Sequence, residues 1–310
     1  MTVVTATHPP RTPHEGTPPL DAPARPASSL LLVRPGEEDG LEVFALQRAA
    51  TMAFSAHATA FPGGRVDPAD ELPPALWDGV DLAGWADRLG LPGEPEGARS
   101  TLGDLAPERA AGRLLAAVVR ETFEEVGVLL ARDAATGVPV DAQRVAALPA
   151  ELRAQVERHE VDFGAFLAHE GLAPDVGALV PWSRWITPPG GARRYDTFFF
   201  VVRLPAGQSP ERVSTEAAHH GWATPAALLE RFRAGAVNLM APTWWQLRAL
   251  ADAEGCEDVV PLSRSLEPLR AVMLRANAPR PDFTGAADYL RDLAAFRAAA
   301  TVEESPDNVL

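Results

Sequence analysis

Arg120-Glu121-Thr122-Phe123-Glu124-Glu125-Val126-Gly127-Val128 is the stretch on which the reading of this chain turns. It closes a helical pattern that begins near Ala110. With Glu121 set at zero, Leu115, Val119, Thr122, Phe123 and Val126 fall between about 100° and 200° around the helix, while Glu124 and Glu125 fall at about −60° and +40°. One face is apolar and predicts burial against a core. The opposite face carries three carboxylates. Gly127 predicts the end of the helix, because glycine enters the left-handed conformation readily. Carboxylates three and four residues apart repel by roughly a few tenths of a kcal/mol per pair. Left alone, such a face is an ordinary solvated surface. A hard divalent cation such as Mg²⁺ would turn the repulsion into a binding site, since it takes carboxylate and phosphate oxygens together.

Upstream, Phe61-Pro62-Gly63-Gly64-Arg65-Val66-Asp67 forms a turn. Pro62 blocks a helix, and two glycines permit backbone angles closed to other residues. Such a turn can bring main-chain carbonyls close to a ligand. Before it, Leu30 to Val33 and Leu41 to Arg48 read as two strands joined by the turn Pro35 to Gly40, a predicted hairpin. Residues 1–28 are rich in Pro and Thr and are expected to be a disordered tail. Between the glycine turn and the helix, residues 71–112 are rich in Pro, Gly, Asp and Ala and are expected to form short helices on the surface, as an insertion. Beyond the helix, a helical stretch is expected around Ala146 to His169. Strands follow at Leu179 to Ile186 and Thr197 to Leu204, the second continuously apolar as a central strand would be. Pro225 to Arg233 and Trp244 to Ala253 read as helices, Leu269 to Leu274 as a strand, and Asp288 to Ala299 as a terminal helix. The domain is expected over 29–260, with 261–310 an extension packed on it.

The formal net charge is −14. That surface repels nucleic-acid backbones, so polymeric DNA or RNA is a poor partner. A small phosphorylated ligand stays compatible, because bound cations reverse the local sign. The one cysteine, Cys256, cannot form an internal disulfide. The N-terminal residues lack the apolar core of a signal peptide, and no apolar run is long enough to span a bilayer. These features predict a soluble, cytoplasmic protein without a membrane partner. The C-terminal Asp307-Asn308-Val309-Leu310 does not resemble a peroxisomal address.

Taken together, the glycine turn and the carboxylate helix resemble the Nudix box, G-x5-E-x7-R-E-U-x-E-E-x-G-U, with U aliphatic. Gly64 matches the first glycine, and Asp70 stands where the family has Glu. The string from Arg120 to Val128 matches the second half, with Thr122 at an aliphatic position. Between Asp70 and Arg120 lie 49 residues, where the box has seven, an excess of 42. The split is similar to the branch that includes the peroxisomal coenzyme A diphosphatases. Trp185-Ile186-Thr187-Pro188 and Arg193-Arg194-Tyr195-Asp196-Thr197-Phe198-Phe199 are similar to that branch too.

The resemblance implies an α/β (α+β) Nudix fold, an α/β/α sandwich around a mixed sheet, and metal-dependent hydrolysis of a diphosphate linkage. Coenzyme A or an acyl-CoA comes first as substrate, and Mg²⁺ or Mn²⁺ as cofactor. Glu124 and Glu125 would be the main metal ligands, with Glu121 a further ligand or the base acting on water. The Gly63 carbonyl would complete the shell, and Gly64 would lie against the substrate. Arg120 would hold a box carboxylate in place. Glu216 is a candidate ligand from a later loop, or else an ordinary loop glutamate. Arg193 and Arg194 are candidate phosphate grips, or solubilising arginines at a strand edge. His57, His219 and His220 suit structural or surface roles. Trp182, Trp185, Trp244 and Trp245 suit core packing more than stacking on a base. Homodimers are frequent in the family, and the sequence leaves the assembly open. The rival reading is a non-catalytic module of the same fold that binds a nucleotide metabolite and regulates a partner. Such modules commonly lose box carboxylates, whereas this chain keeps Glu121, Glu124 and Glu125.

Overall fold

Alternate residues of a strand point to opposite faces, so a continuous apolar run such as Leu30 to Val33 demands cover on both sides. The cover is there on each face. In a computed structural model, which describes residues 22–36, 40–48, 58–91, 100–187, 194–210, 217–253, 255–259, 268–270 and 283–303, this run is the middle of an eleven-residue strand. The chain passes through β1 (Arg25–Pro35), β2 (Leu41–Arg48), β3 (Ala58–Ala60) and β4 (Gly63–Arg65). A short helical turn at Pro68–Asp70 ends the first half of the box, and the segment that interrupts it forms further turns at Pro74–Trp77 and Thr101–Asp104, and α1 (Leu82–Arg88). Next come α2 (Pro107–Val126), β5 (Ala131–Asp133), α3 (Ala142–Ala146), α4 (Leu152–Glu157) and α5 (Phe163–His169). After them run β6 (Leu172–Pro174), β7 (Val180–Ile186), β8 (Tyr195–Arg203), β9 (Ala217–Ala223), α6 (Pro225–Arg233) and β10 (Asn238–Leu239). The described chain ends with α7 (Ala241–Leu250), α8 (Cys256–Val259), β11 (Pro268–Arg270) and α9 (Ala286–Glu303).

The main sheet has the order β10-β3-β2-β1-β8-β7-β11, with β4 also on β1 and β9 also on β2, while β5 and β6 pair separately. It is mixed: β1 runs antiparallel to β2 and β4 but parallel to β8. Leu30, Leu32, Phe198 and Phe200 face a core shared with α2, α5 and the inserted segment. Leu31, Val33, Phe199 and Val201 face a second core shared with α6, α7 and α9. Helices therefore cover both faces, the expected α/β/α arrangement.

Several boundaries differ from the sequence reading. β1 begins at Arg25, inside the segment expected to be a disordered tail, because Arg25 to Val33 pair residue for residue with Tyr195 to Arg203. No local periodicity reports a partner that distant. The expected helix from Ala146 to His169 is broken into pieces, with His159 at φ 55 between α4 and α5. The inserted segment is no surface decoration. Trp77, Trp85 and Leu89 are buried in the first core, and α1 packs along α2. α9 is tied to the second face by Tyr289 and Phe296 against Trp244 and Phe232.

Trp85→Ala should therefore lower unfolding stability by about 3–5 kcal/mol, as truncation of a buried aromatic does. A change within about 0.5 kcal/mol in denaturant titration, the range of surface substitutions, would mean the insertion does not share the core.

Candidate active site

α2 presents its carboxylates because its other face is fully used. Leu115, Val119, Phe123 and Val126 are buried, and Phe123 stacks on Phe166 of α5 at 5.6 Å. Thr122 fits the aliphatic position because its hydroxyl donates to the Val118 carbonyl oxygen at 2.6 Å, one turn back. Gly127 ends the helix at φ 71, its N–H donating to the Phe123 carbonyl oxygen.

Arg120 joins the two halves of the split box. Its Nε and Nη2 donate to the two Asp70 carboxylate oxygens at 2.7 and 3.0 Å. Nη1 donates to Glu121 at 2.9 Å and to Glu124 at 3.2 Å, and Nη2 also donates to the Arg65 carbonyl oxygen at 3.1 Å. Asp70 is almost completely buried and takes a further hydrogen bond from the Asp67 N–H. The aspartate in place of the family's glutamate is thus fully used, as partner of Arg120 and as part of a helix cap.

Against this helix lies the glycine turn. The Gly63 N–H donates to Glu125 Oε2 at 2.9 Å. Gly63 has φ 147, and a side chain there would run into the Ser28 carbonyl; one at Gly64 would run into the Glu121 carboxylate. Gly63 is required by its backbone, and a side chain at Gly64 would displace the Glu121 carboxylate. Glu124 is buried, and its Oε1 has no hydrogen-bond partner among the described residues. Among the described residues no three acidic, His or Cys side chains converge in a ready-made cation cage; Arg120 holds Glu121 and Glu124 instead. The donor set still fits a hard cation: a buried, unpartnered carboxylate oxygen beside two further glutamates is costly alone and well matched to Mg²⁺ or Mn²⁺.

These residues form the floor of an open cleft of about 620 Å³. Its walls hold Arg25, Arg65, Arg113, Tyr195, Glu157 and His159, to none of which the sequence assigned a role in the site. Two signals were available: Arg65 directly follows the second glycine, and Arg113 stands seven residues before Arg120, on the same helix face. The far wall comes from the insertion, through Thr101, Leu102 and Leu105, where Ala24 bridges to Ser100.

Arg194, expected to grip phosphate, does something else. It is buried, and its guanidinium donates to the Thr187 carbonyl oxygen at 3.0 Å and to that of Ala22. Its own carbonyl accepts from the Arg25 N–H. It anchors the start of β1 and does not line the cleft. Arg193, Glu216 and His57 lie outside the described residues. Trp182, Trp185, Trp244 and Trp245 pack in or against the second core, away from the cleft, and His220 is exposed on β9. Cys256 is buried and forms no disulfide.

Burial pushes the Glu121 carboxyl up to about 7 from 4.5, opposed by Arg120 and reinforced by the neighbouring charges of Glu124 and Asp70. Burial raises Glu124 as well. The folded chain holds the Glu121 proton more tightly than the unfolded chain does, so its loss costs stability as pH rises from 4.5 toward about 7. In chelator, the thermal midpoint of the native chain should fall across that window relative to Glu121→Gln, and added Mg²⁺ should remove the difference. Parallel pH profiles would contradict the assignment. Arg120→Ala should cost about 3–5 kcal/mol in denaturant titration, because it leaves buried carboxylates unpaired.

The NUDT19 Nudix domain model matches residues 20–250. The chain is 33% identical to the acyl-coenzyme A diphosphatase NUDT19 of Gallus gallus over 73% of its own length and 66% of that protein, just under two thirds. It is 29% identical to the Homo sapiens protein of the same name over 93% of this chain and 82% of that one. Among solved structures, a NUDIX hydrolase from Alicyclobacillus acidocaldarius superposes with a TM-score of 0.59 at 28% identity, covering 76% of this chain and 95% of that one. With the split box reassembled in space and the match running through most of its length, the chain belongs to the NUDT19 Nudix domain family.

Proposed function

We propose that this protein hydrolyses the diphosphate bridge of a nucleotide derivative, coenzyme A or an acyl-CoA first among them, with Mg²⁺ or Mn²⁺ as cofactor. The observation that carries the reading is Glu124 Oε1, buried and without a partner among the described residues, on the floor of a cleft that Glu121, Glu125 and the Gly63-Gly64 turn also line. The named activity of the Gallus gallus and Homo sapiens relatives supports the choice of substrate.

Glu124 and Glu125 would hold the cation, with the Gly63 carbonyl and Glu121 as further donors. A bound Mg²⁺ or Mn²⁺ supplies charge neutralisation for the diphosphate and makes water a better nucleophile. The chain supplies the rest. The Gly63 N–H orients Glu125, and Arg120 orients Glu121 and Glu124. Glu121, held beside Glu124 by Arg120, would serve either as that further donor or as the base that accepts a proton from the attacking water. The water oxygen bonds to one phosphorus as the bridging P–O bond breaks, giving two phosphorylated products. The regulatory-module reading is disfavoured by the intact carboxylates. The single buried thiol fits a reducing compartment such as the cytoplasm.

Incubation with coenzyme A, acyl-CoA, NADH, ADP-ribose and nucleoside triphosphates, with products identified by mass spectrometry, should give turnover at a diphosphate bridge, fastest for the coenzyme A compounds. Glu124→Gln and Glu125→Gln should each lower kcat by at least about 100-fold, the scale of losing a strong charge contact in the transition state. Their circular dichroism should match the native chain. No turnover with either metal, or a tightly bound ligand recovered unchanged, would reverse the conclusion.

A further inference from the structure

We propose that Arg25 and Arg65 form a second anion site in the same cleft, which takes a phosphomonoester carried on the nucleoside half of the substrate; this rests on the diphosphate-hydrolase reading above.

The cleft has four arginines on its walls, and two are already committed. Arg120 is held by Asp70, Glu121 and Glu124, and Arg113 by Glu71 at 2.6 Å. Arg25 and Arg65 are exposed and form no ion pair among the described residues. Asp67, the carboxylate nearest Arg65 in sequence, caps the Ala69 N–H.

The sheet brings the two arginines together. Arg65 lies opposite Ala27 in the antiparallel β4–β1 pair, and Arg25 is two residues along from Ala27. Residues in that diagonal relation share a face and stand about 7–8 Å apart, near enough for two guanidinium groups to close on one phosphate. Tyr195, directly across from Arg25 on β8, lies beside them in the cleft. Both backbones are held in place. The Arg65 carbonyl accepts from Arg120, and the Arg25 N–H donates to the Arg194 carbonyl. Two neighbouring cations left uncompensated among the described residues, in a chain of net charge −14, select an anion.

Distance sets the class of anion. Gly63, which touches Glu125, is two residues from Arg65, roughly 7 Å along the strand, and Arg25 lies a further ~7 Å along β1. A phosphate adjacent to the scissile bridge would stay with the carboxylate ridge and its cation. A group at this remove belongs to a phosphomonoester on the ribose.

Two measurements decide it. The first compares kcat/KM for coenzyme A and 3′-dephospho-coenzyme A, which differ by one phosphomonoester. The native chain should prefer the former by about 10- to 100-fold, the scale of a charge-assisted hydrogen-bonding site. Arg25→Ala/Arg65→Ala should bring the ratio close to one through KM, with Arg→Lys at both positions intermediate. The second needs no turnover: calorimetric titration of the full chain with adenosine 3′,5′-bisphosphate and adenosine 5′-monophosphate should give the same discrimination and the same loss. A ratio near one in the native chain, or discrimination that survives the double substitution, would overturn the site. Discrimination in the titration without turnover of any diphosphate would instead overturn the hydrolase reading and leave the site standing.

Discussion

One guanidinium holds the site together. Arg120 is nearly buried and donates to Asp70, Glu121, Glu124 and the Arg65 carbonyl, tying the glycine turn, the turn after it and the carboxylate helix into one unit. Removing any of these charges from water alone would cost several kcal/mol; as a hydrogen-bonded set they compensate one another. The arrangement explains how the motif survives 49 residues placed in its middle. Extending a closed loop from seven residues to 49 costs about 2 kcal/mol of chain entropy, since each doubling adds only about 0.6. Burying side chains the size of Trp77 and Trp85 contributes at least about 1.5–3 kcal/mol each, which offsets the closure term. The insertion is tolerated because it brings its own share of core.

The insertion also shapes the cleft. It returns the chain to the start of β1, where the Thr101 N–H donates to the Ala24 carbonyl oxygen and Leu102 and Leu105 form a wall. An unsplit box would leave that end of the cleft to some other part of the fold. Here the residues that set the cleft's length are the ones that interrupt its catalytic motif.

What could be read from the sequence follows from how local each signal is. The helix at Arg120 was legible to within three residues at its start, because a period of 3.6 and a glycine stop are properties of neighbours. The two-sided burial of Leu30 to Val33 and of Phe198 to Val202 was legible for the same reason. The beginning of β1 was not. Arg25, Pro26 and Ala27 look like tail by composition and become strand only through pairing with Tyr195, Asp196 and Thr197. Arg194 shows the same limit in the site. An arginine near a strand edge in a phosphate-handling chain suggests a phosphate grip, yet its partners are backbone carbonyls, a role invisible in side-chain chemistry. Arg25, assigned to the tail, is the residue it positions.

Charge runs unevenly through the cleft. One end is a ridge of Glu121, Glu124 and Glu125 and repels any polyanion that arrives without a cation. The other end offers Arg25 and Arg65 without counter-ions among the described residues. At 0.15 M salt the screening length is about 8 Å, shorter than the roughly 14 Å along the strands from ridge to Arg25, so each end acts on its own part of a ligand. An elongated ligand with phosphates at two places therefore meets attraction at one end and a conditional welcome at the other. Its orientation is set before the bridge reaches the glutamates, and a ligand with only one phosphate cluster has no such guidance.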